Sequence, residues 1–310
     1  MNAQTPEATD ADQAPTKASF IALIGAPNAG KSTLLNALVG ARLAIVTHKV
    51  QTTRTRLLGI TIHNNAQLIF VDTPGIFAPK RRLDRAMVGA AWRGAEDADH
   101  VVLLVDASFG ITDEVERIIT ALQHSERKVI LAVNKVDLIN KDKLLLLVDK
   151  LHKTGVFSDV FMISALSGSG VADLKDHLAA IAEEGPWLYP EDQITDVTMR
   201  SLAAEITREK IFLRLHQELP YSIWVETEKW EERKDGSVRI EQAIHVDRDS
   251  QKGIVIGKGG ASLKKIGEMA RADMEELMER RVHLFLFVKV SEGWGDNKFH
   301  YDEMGLDFVE

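Results

Sequence analysis

The stretch that decides the fold is residues 25–32, GAPNAGKS, which fits the pattern Gly-x-x-x-x-Gly-Lys-Ser. It follows the apolar run SFIALIG and leads into TLLNAL, so the glycines join a predicted strand to a predicted helix. Phosphate oxygens need many donors at close range, which the N–H groups of such a loop and the helix N-terminus supply. We predict that Lys31 reaches the β- and γ-phosphates of a nucleotide and that the Ser32 hydroxyl binds Mg²⁺. The alternative is a chance glycine-rich turn.

Outward from this loop, short apolar runs alternate with helical patterns as far as about Ile181. Several runs are apolar on both faces, as strands in a sheet covered by helices must be. Two of them are separated only by Asn64 and Asn65, which predicts a hairpin and one antiparallel edge strand. The order predicts an α/β domain with a mostly parallel sheet, built on SFIALIG, LLGITIH, AQLIFVD, HVVLLVD, KVILAVN and DVFMIS.

The base of the nucleotide is indicated by NKVD, residues 134–137, at the carboxyl end of the run KVILAV. The Asp137 carboxylate can accept both the N1–H and the exocyclic amine of guanine, whereas adenine has a lone pair at N1 and lacks that amine. A buried acceptor left unpaired is costly, so guanine should be selected strongly. The four-residue match is weak alone and gains weight from ISAL at residues 163–166.

Two further segments suit a triphosphate that carries a metal ion. DTPG, residues 72–75, follows the run LIFV, where Asp72 would hold Mg²⁺ through water and the Gly75 N–H would sense the γ-phosphate. An ordinary turn at the end of a strand is the alternative. The threonine-rich loop VTHKVQTTRTR lies where a switch segment should become ordered on the triphosphate. We predict Thr53 as an Mg²⁺ ligand, with Thr52 as the alternative and solvated loop threonines as the plainer interpretation.

Taken in order, GAPNAGKS, QTTRT, DTPG, NKVD and ISA resemble the five nucleotide-binding motifs of translation-factor-class GTPases. The resemblance implies GTP and GDP as ligands, Mg²⁺ held by Ser32, Thr53 and Asp72, and catalytic roles for Lys31, Thr53 and Gly75. The nucleotide contacts that it implies are Gly25, Ala26, Pro27, Asn28, Ala29, Gly30, Lys31, Ser32, Thr33, Asp72, Thr73, Pro74, Gly75, Ile76, Asn134, Lys135, Val136, Asp137, Ser164 and Ala165.

Two positions bear on the rate of hydrolysis. Ile76 stands where the small signalling GTPases place a water-orienting glutamine. Because isoleucine cannot orient water by hydrogen bonding, hydrolysis should rely on Mg²⁺, Lys31 and backbone donors. It should be slow until a partner or bound RNA orders the switch segments. Asn28 is the residue that would help to hold a K⁺ ion, as in potassium-stimulated relatives.

A second glycine loop, GKGG at residues 257–260, lies in the other half of the chain, where the predicted order is α-β-β-α-β. It matches Gly-x-x-Gly, with which KH domains clamp about four nucleotides of single-stranded RNA. Residues 251–290 carry eight Lys or Arg against five Asp or Glu, so this region is locally positive. A turn with solvated lysines is the alternative. The RNA contacts that we predict are Ile254, Val255, Ile256, Gly257, Lys258, Gly259, Gly260, Lys264 and Lys265.

The two halves together resemble the Era-like family of bacterial GTPases, on the further segments REKI, ELPYS and VIGKGG. That resemblance implies an α/β P-loop GTPase domain followed by a smaller α+β KH domain of type II. It implies a GTP-dependent switch that binds 16S rRNA near its 3′ end and assists maturation of the small (30S) ribosomal subunit. It also implies peripheral association with the inner membrane, for which the sequence offers no segment. We expect a cytoplasmic monomer.

Composition bounds these expectations. The chain has 310 residues, no cysteine and a net charge of −8, which argues against wholesale coating of nucleic acid and against thiolate metal sites. We predict a disordered extension over 1–17, the GTPase domain over 18–183, a Pro- and Gly-containing linker over 184–200, the KH domain over 201–290 and an acidic tail over 291–310.

Two rival functions are weighed against the switch. A GTPase that assists tRNA modification would need chemistry of its own, usually a C-terminal cysteine or a cofactor site, and the chain has no cysteine. A constitutive RNA-binding protein with a structural GTPase half is opposed by the intact Lys31, Ser32 and Asp72. Equal RNA affinity with GDP and with a GTP analogue would favour this second rival.

Overall fold

The computed structural model describes residues 15–47, 56–125, 127, 129–215, 219, 223–294 and 297–309. In the first half, the elements are β1 Lys17–Gly25, α1 Lys31–Val39, β2 Leu57–His63, β3 Ala66–Asp72, α2 Arg82–Asp97, β4 His100–Asp106, α3 Asp113–Gln123, β5 Val129–Asn134, α4 Lys141–His152, β6 Phe157–Met162 and α5 Val171–Ile181. The six strands form one sheet in the order β2-β3-β1-β4-β5-β6. Only the pairing of β2 with β3 is antiparallel, which confirms the predicted α/β domain.

The first strand shows why its sequence is a continuous apolar run. Side chains alternate across a strand, so Ile21 and Leu23 pack against α1 and α5 while Ala22 and Ile24 pack towards α2 and α3. All four are fully buried. The strand begins at Lys17, one residue before the predicted domain boundary, and residues 1–14 of the predicted extension lie outside the described residues.

The predicted linker is a strap held on the sheet rather than a free connection. The Gln67 side chain accepts from the backbone N–H groups of Leu188 and Tyr189 at 2.8 and 3.0 Å, and it donates to the Tyr189 carbonyl. Further along, the Ile60 N–H donates to the Ile194 carbonyl at 2.8 Å, on the edge strand β2. An exposed strand edge carries unpaired backbone groups, and this strap satisfies some of them.

The second half contains a smaller α+β unit. Its elements are α6 Met199–Arg214, β7 Trp224–Glu232, β8 Val238–Val246, α7 Asp249–Ile256, α8 Ala261–Met278 and β9 Val282–Val290. The sheet order is β7-β8-β9, with β7 antiparallel and β9 parallel to β8. The helices cover one face through two apolar clusters. This confirms the predicted α+β domain, whose first helix begins inside the range predicted as linker.

One helix of this domain is absent from the predicted order α-β-β-α-β. The helix α7 stands between β8 and the GKGG loop, where the prediction has the loop follow the strand directly. The sequence conceals it because Gly253 and three β-branched residues have low helix propensity. Tertiary packing overrides that propensity, since Val255 of this helix is fully buried in the core.

The predicted acidic tail folds back onto the first domain. A short helix, α9 Lys298–Glu303, brings Tyr301 and the following Met304 against Ala86 and Met87 of α2. Tyr301 is fully buried and Met304 is 2% exposed. The excess of acidic residues gave no sign of this contact, which depends on a few apolar residues between the charges.

Among the described helices, none combines the length and the apolar composition that crossing a bilayer requires.

Candidate functional site

The glycine loop at residues 25–32 has a backbone conformation at Gly25 and at Gly30 that strongly favours glycine. Gly25 has φ 151°, and a Cβ there would lie 2.6 Å from the Leu104 carbonyl oxygen. Gly30 has φ 99° at the start of α1, and its Cβ would lie 2.2 Å from the Asn134 Nδ2. The loop is therefore closely packed against β4 and β5, and its N–H groups lie at the N-terminus of α1.

Lys31 lies inside this loop with its side chain buried. Its Nζ donates to the carbonyls of Gly25 and Ala26 at 3.2 and 3.1 Å. Burial lowers the pKa of Lys31 to about 8, and the nearby Asp72 carboxylate offsets only part of that effect. A buried ammonium with too little negative charge around it is a site that a phosphate anion fits.

Two oxygen groups that suit Mg²⁺ lie side by side at the mouth of the loop. The Ser32 Oγ donates to the Asp72 Oδ2 at 2.9 Å, and Asp72 is fully buried at the end of β3. Hydroxyl and carboxylate oxygens are ligand atoms that Mg²⁺ prefers. The residues present therefore fit the ion. The predicted ligand Thr53 and its alternative Thr52 lie outside the described residues.

The segment DTPG, which follows β3, lies against the glycine loop. The Thr73 hydroxyl donates to the Leu23 carbonyl at 2.8 Å, and the Ile76 N–H donates to the Gly25 carbonyl at 3.0 Å. A Cβ on Gly75 would lie 3.0 Å from three atoms of Pro27. The Ile76 side chain is 6% exposed and packs in the core, so it does not face the phosphate position.

Asn134 joins the two sides of the predicted nucleotide site. Its Nδ2 donates to the Ala29 carbonyl at 2.8 Å, and its Oδ1 accepts from the Ala165 N–H at 2.9 Å. The amide thus fixes the phosphate loop and the ISAL segment to the end of β5. Asp137 lies exposed beside it, and Ser164 is buried. The structure brings the three predicted segments to one edge of the sheet.

Asp106 is a residue of this region that the sequence interpretation missed. It ends β4, and its carboxylate accepts from the Lys135 Nζ at 2.6 Å and from the Ser108 N–H at 2.9 Å. Lys135 has φ 63°, which is uncommon for a residue with a side chain. The signal was available, because HVVLLVD ends at the same carboxyl edge as the strands before DTPG and NKVD.

The second glycine loop joins α7 to α8 as a single tight turn. Gly257, Gly259 and Gly260 all have positive φ, and Gly260 begins α8 without a side-chain cap. A Cβ on Gly257 would lie 2.7 Å from the Ser262 Cβ. Backbone N–H groups at the uncapped start of this 18-residue helix, beside the exposed Lys258, are of a kind that can bind an anion.

The structure corrects the surface that was predicted beside this loop. Ile254 is 56% exposed, but Val255 is fully buried, so its side chain does not line the RNA-facing surface. The reason is that successive residues of a helix point to different sides, so Ile254, Val255 and Ile256 of α7 cannot all face the RNA, as the sequence predicted. Lys264 and Lys265 are exposed on α8, and Lys265 pairs with Glu268 at 3.3 Å.

Two protein-family models match the chain. The model described as 50S ribosome-binding GTPase matches residues 20–135, and the KH domain model matches residues 218–295. The chain is 58% identical to GTPase Era of Sinorhizobium medicae over 308 residues, 99% of each protein. It is also 58% identical to GTPase Era of Bradyrhizobium diazoefficiens over 304 residues, 98% of this chain and 99% of that protein.

Two solved structures of Era proteins are also similar to this chain. Era in complex with MgGDPNP and nucleotides 1506–1542 of 16S ribosomal RNA is 38% identical, with a TM-score of 0.89 over 95% of this chain and 100% of that one. An Aquifex aeolicus Era variant bound to GDP and AlF4⁻ has the same TM-score and coverage at 37% identity. With the glycine loop, the Ser32–Asp72 pair and the NKVD edge in place, this chain is a GTP-hydrolysing enzyme and belongs to the GTPase Era family.

Proposed function

We propose that this GTPase is a switch that binds 16S rRNA near its 3′ end and assists assembly and maturation of the 30S ribosomal subunit. The observation that carries the proposal is the presence of two anion-binding glycine loops of different construction in one chain. One is closed over a buried lysine beside an Mg²⁺-type oxygen pair. The other is an open turn with an exposed lysine at a helix start. The first suits one nucleotide and the second a polymer backbone.

At the nucleotide site, each residue has a role that follows from its position. Lys31 neutralises the β- and γ-phosphates, and the backbone N–H groups of the loop donate to them. Ser32 and Asp72, with Thr53 as the further ligand, would hold Mg²⁺, which would neutralise negative charge on the phosphates. Gly75 donates its N–H to the γ-phosphate.

At position 76 this site has no side chain that could orient the attacking water for hydrolysis. The Ile76 side chain is in the core, and its backbone N–H is occupied by the Gly25 carbonyl. The rate then depends on the positive groups around the γ-phosphate and on ordering of the switch segments. We infer slow turnover in the free protein and faster turnover when RNA is bound.

At the RNA site, the backbone of residues 257–260 contacts ribose and phosphate, while the lysines add charge. Ile254 and Ile256 are the side chains left to contact bases, since Val255 is buried. The affinity for RNA should therefore fall as the salt concentration rises. The loop itself should recognise little of the RNA sequence, because it contacts mainly ribose and phosphate.

The test of the RNA site is Lys258→Asp, measured as the affinity for a short single-stranded RNA that matches the 16S 3′ end. We expect binding to weaken by about 10- to 100-fold, since a charge-assisted hydrogen bond contributes about 1.5–3 kcal/mol. The milder Lys258→Ala should lower the slope of log affinity against log salt by about 0.7.

Lys258 is preferable to Gly257 for this test, because any side chain at Gly257 strains the turn and contacts Ser262. The matched control is Lys234→Asp, an exposed lysine in the β7–β8 turn of the same domain, which should leave RNA binding unchanged. If Lys258→Asp binds RNA as tightly as the control, the loop is only a turn and the RNA proposal is wrong.

We propose a K⁺ ion beside Asn28 as a finer feature of the nucleotide site. Asn28 has φ 62°, so the loop holds a non-glycine residue in a left-handed conformation where the phosphates are proposed to bind. Replacing K⁺ with Na⁺ at constant ionic strength should slow GTP hydrolysis in the wild type and not in Asn28→Ala. Equal rates in the two salts would eliminate the ion.

We also propose a cytoplasmic monomer that associates peripherally with the inner membrane. Sedimentation equilibrium tests the first part, and a dimer would contradict it. Pelleting with anionic vesicles tests the second, and no recovery in the pellet would contradict it. The domain ranges given above, and the site residues other than the buried Val255, are part of the same proposal.

A further inference from the structure

A closed ring of four charged side chains joins the two domains. Glu209 of α6 accepts from the Arg42 guanidinium and from the Lys210 Nζ, the latter at 2.8 Å. Asp273 of α8 pairs with Arg42 at 2.7 Å and also with Lys210. Arg42 belongs to the GTPase domain and the other three to the KH domain. Two positive and two negative charges therefore balance across the contact.

One member of the ring makes a further bond. The Glu209 Oε1 accepts the Val46 backbone N–H at 3.1 Å. Asp273 has no such contact to the GTPase backbone among the described residues. Val46 and Arg42 lie in the segment after α1, the helix that begins with Lys31 and Ser32. Glu209 is thus bonded to main chain and side chain of the segment that extends from the phosphate loop.

The burial of these groups makes the contact sensitive to geometry. The Glu209 side chain is 4% exposed and that of Lys210 is 7% exposed, whereas Arg42 is 47% exposed. Burial opposes ionisation of Asp273, but hydrogen bonds from Lys210 and Arg42 outweigh it, so the pKa of Asp273 lies below its ordinary value. Loss of a donor would leave the buried Glu209 carboxylate with an unsatisfied acceptor, which is costly.

We propose that Glu209 is a positioning residue that couples the nucleotide site to RNA binding. It holds α6, the first helix of the KH domain, to the segment that follows α1. A shift of residues 42–46 with the state of the nucleotide would change the donors around a buried carboxylate, and the KH domain would move to restore them. This inference rests on RNA binding through residues 257–260.

The test is Glu209→Gln, which keeps the shape of the side chain but removes the charge, so that the Val46 N–H is left with a neutral acceptor and a weaker hydrogen bond. The affinity for the 16S 3′-end RNA is measured with GDP and with a non-hydrolysable GTP analogue. Couplings between two sites are typically about 5- to 150-fold. We expect the ratio of the two affinities to fall towards one in Glu209→Gln, while the variant still binds RNA. GTP affinity in the absence of RNA should change little.

Two further variants separate coupling from ordinary loss of stability. Asp273→Asn breaks the same ring without contacting Val46, and it should retain more of the coupling than Glu209→Gln at a similar melting temperature. Glu232→Gln removes an exposed partner of Arg280 in the same domain, and it should retain all of the coupling.

Each result is decisive about the role of Glu209. A folded Glu209→Gln with the wild-type ratio of affinities would overturn the proposal. So would a wild type whose RNA affinity is the same in both nucleotide states. Loss of RNA binding in Lys258→Asp in both states, with coupling intact in Glu209→Gln, would support the RNA site and overturn only the role of Glu209.

Discussion

Lys31→Met is expected to lower kcat/KM for GTP by about 10²- to 10³-fold, the usual effect of removing one preorganised group that stabilises charge in a transition state. Methionine retains most of the apolar volume of lysine and removes the ammonium. The Lys31 Nζ is held inside the glycine loop by the carbonyls of Gly25 and Ala26, where the phosphates are predicted to bind. Steady-state hydrolysis with saturating Mg²⁺ measures the effect.

The same variant is expected to be more stable than the wild type when no nucleotide is bound. Burial lowers the pKa of Lys31 from 10.5 to about 8, which corresponds to about 3 kcal/mol of destabilisation by the charged form. Between these two values the unfolded chain binds more protons than the folded one, so the unfolding free energy rises with pH. The penalty is fully present below pH 8. The unfolding free energy of Lys31→Met should be higher than that of the wild type by up to about 3 kcal/mol at pH 7. Its increase between pH 8 and 10.5 should be smaller by the same amount.

Urea unfolding from pH 7 to 10.5 and GTP turnover give the two readouts. The matched control is Lys175→Met, because the Lys175 Nζ also donates to a carbonyl, that of Leu38, and burial also lowers its pKa. It lies on α5, away from the phosphate loop, and should leave turnover unchanged. A Lys31→Met protein with normal turnover, or with lower apo stability at pH 7, would contradict this account of the site.

Asp137→Asn is expected to weaken GTP and GDP binding by at least about 100-fold. In the predicted site the carboxylate would accept two hydrogen bonds from guanine, and each bond to a charged group contributes about 1.5–3 kcal/mol. The asparagine amide instead presents an N–H₂ towards the base. Xanthine carries a carbonyl where guanine has its amine, so the variant should bind xanthosine diphosphate more tightly than the wild type does.

Titration with fluorescent guanosine and xanthosine diphosphates measures this exchange of preference. Asp142→Asn, at the exposed start of α4, is the control and should keep the preference for guanine. If Asp137→Asn binds GDP normally, then the base is recognised elsewhere and the role given to NKVD is wrong. Loss of both nucleotides together would indicate damage to the loop rather than a change in recognition.

Much of the nucleotide site was predictable from sequence because its residues lie in short, continuous segments. The glycine loop, DTPG and NKVD each follow an apolar run, and parallel strands bring their carboxyl ends to one edge of a sheet. Asp106 follows the same rule and was missed for lack of a motif around it. Asn134 was predicted, but its bonds to Ala29 and Ala165 depend on three segments that meet only in the folded chain.

The second domain and the acidic tail were harder to predict because their structures depend on packing between distant parts of the chain. The helix α7 forms although Gly253 and its β-branched neighbours disfavour it, since burial of Val255 outweighs propensity. The acidic tail docks on α2 through Tyr301 and Met304. Neither feature follows from composition.

By itself, the sequence determined that this chain has a phosphate-loop motif, the NKVD segment at the end of a strand and a second glycine loop in an α+β domain. These are local patterns, and backbone chemistry within a few residues dictates them. Only the tertiary structure decided how the two halves are joined. Arg42, Glu209 and Asp273 are far apart in the chain, and their charges could be paired with any of 38 Lys or Arg and 46 Asp or Glu. Long-range ion pairs have no periodicity, so the contact that couples the domains appears only when the chain is folded.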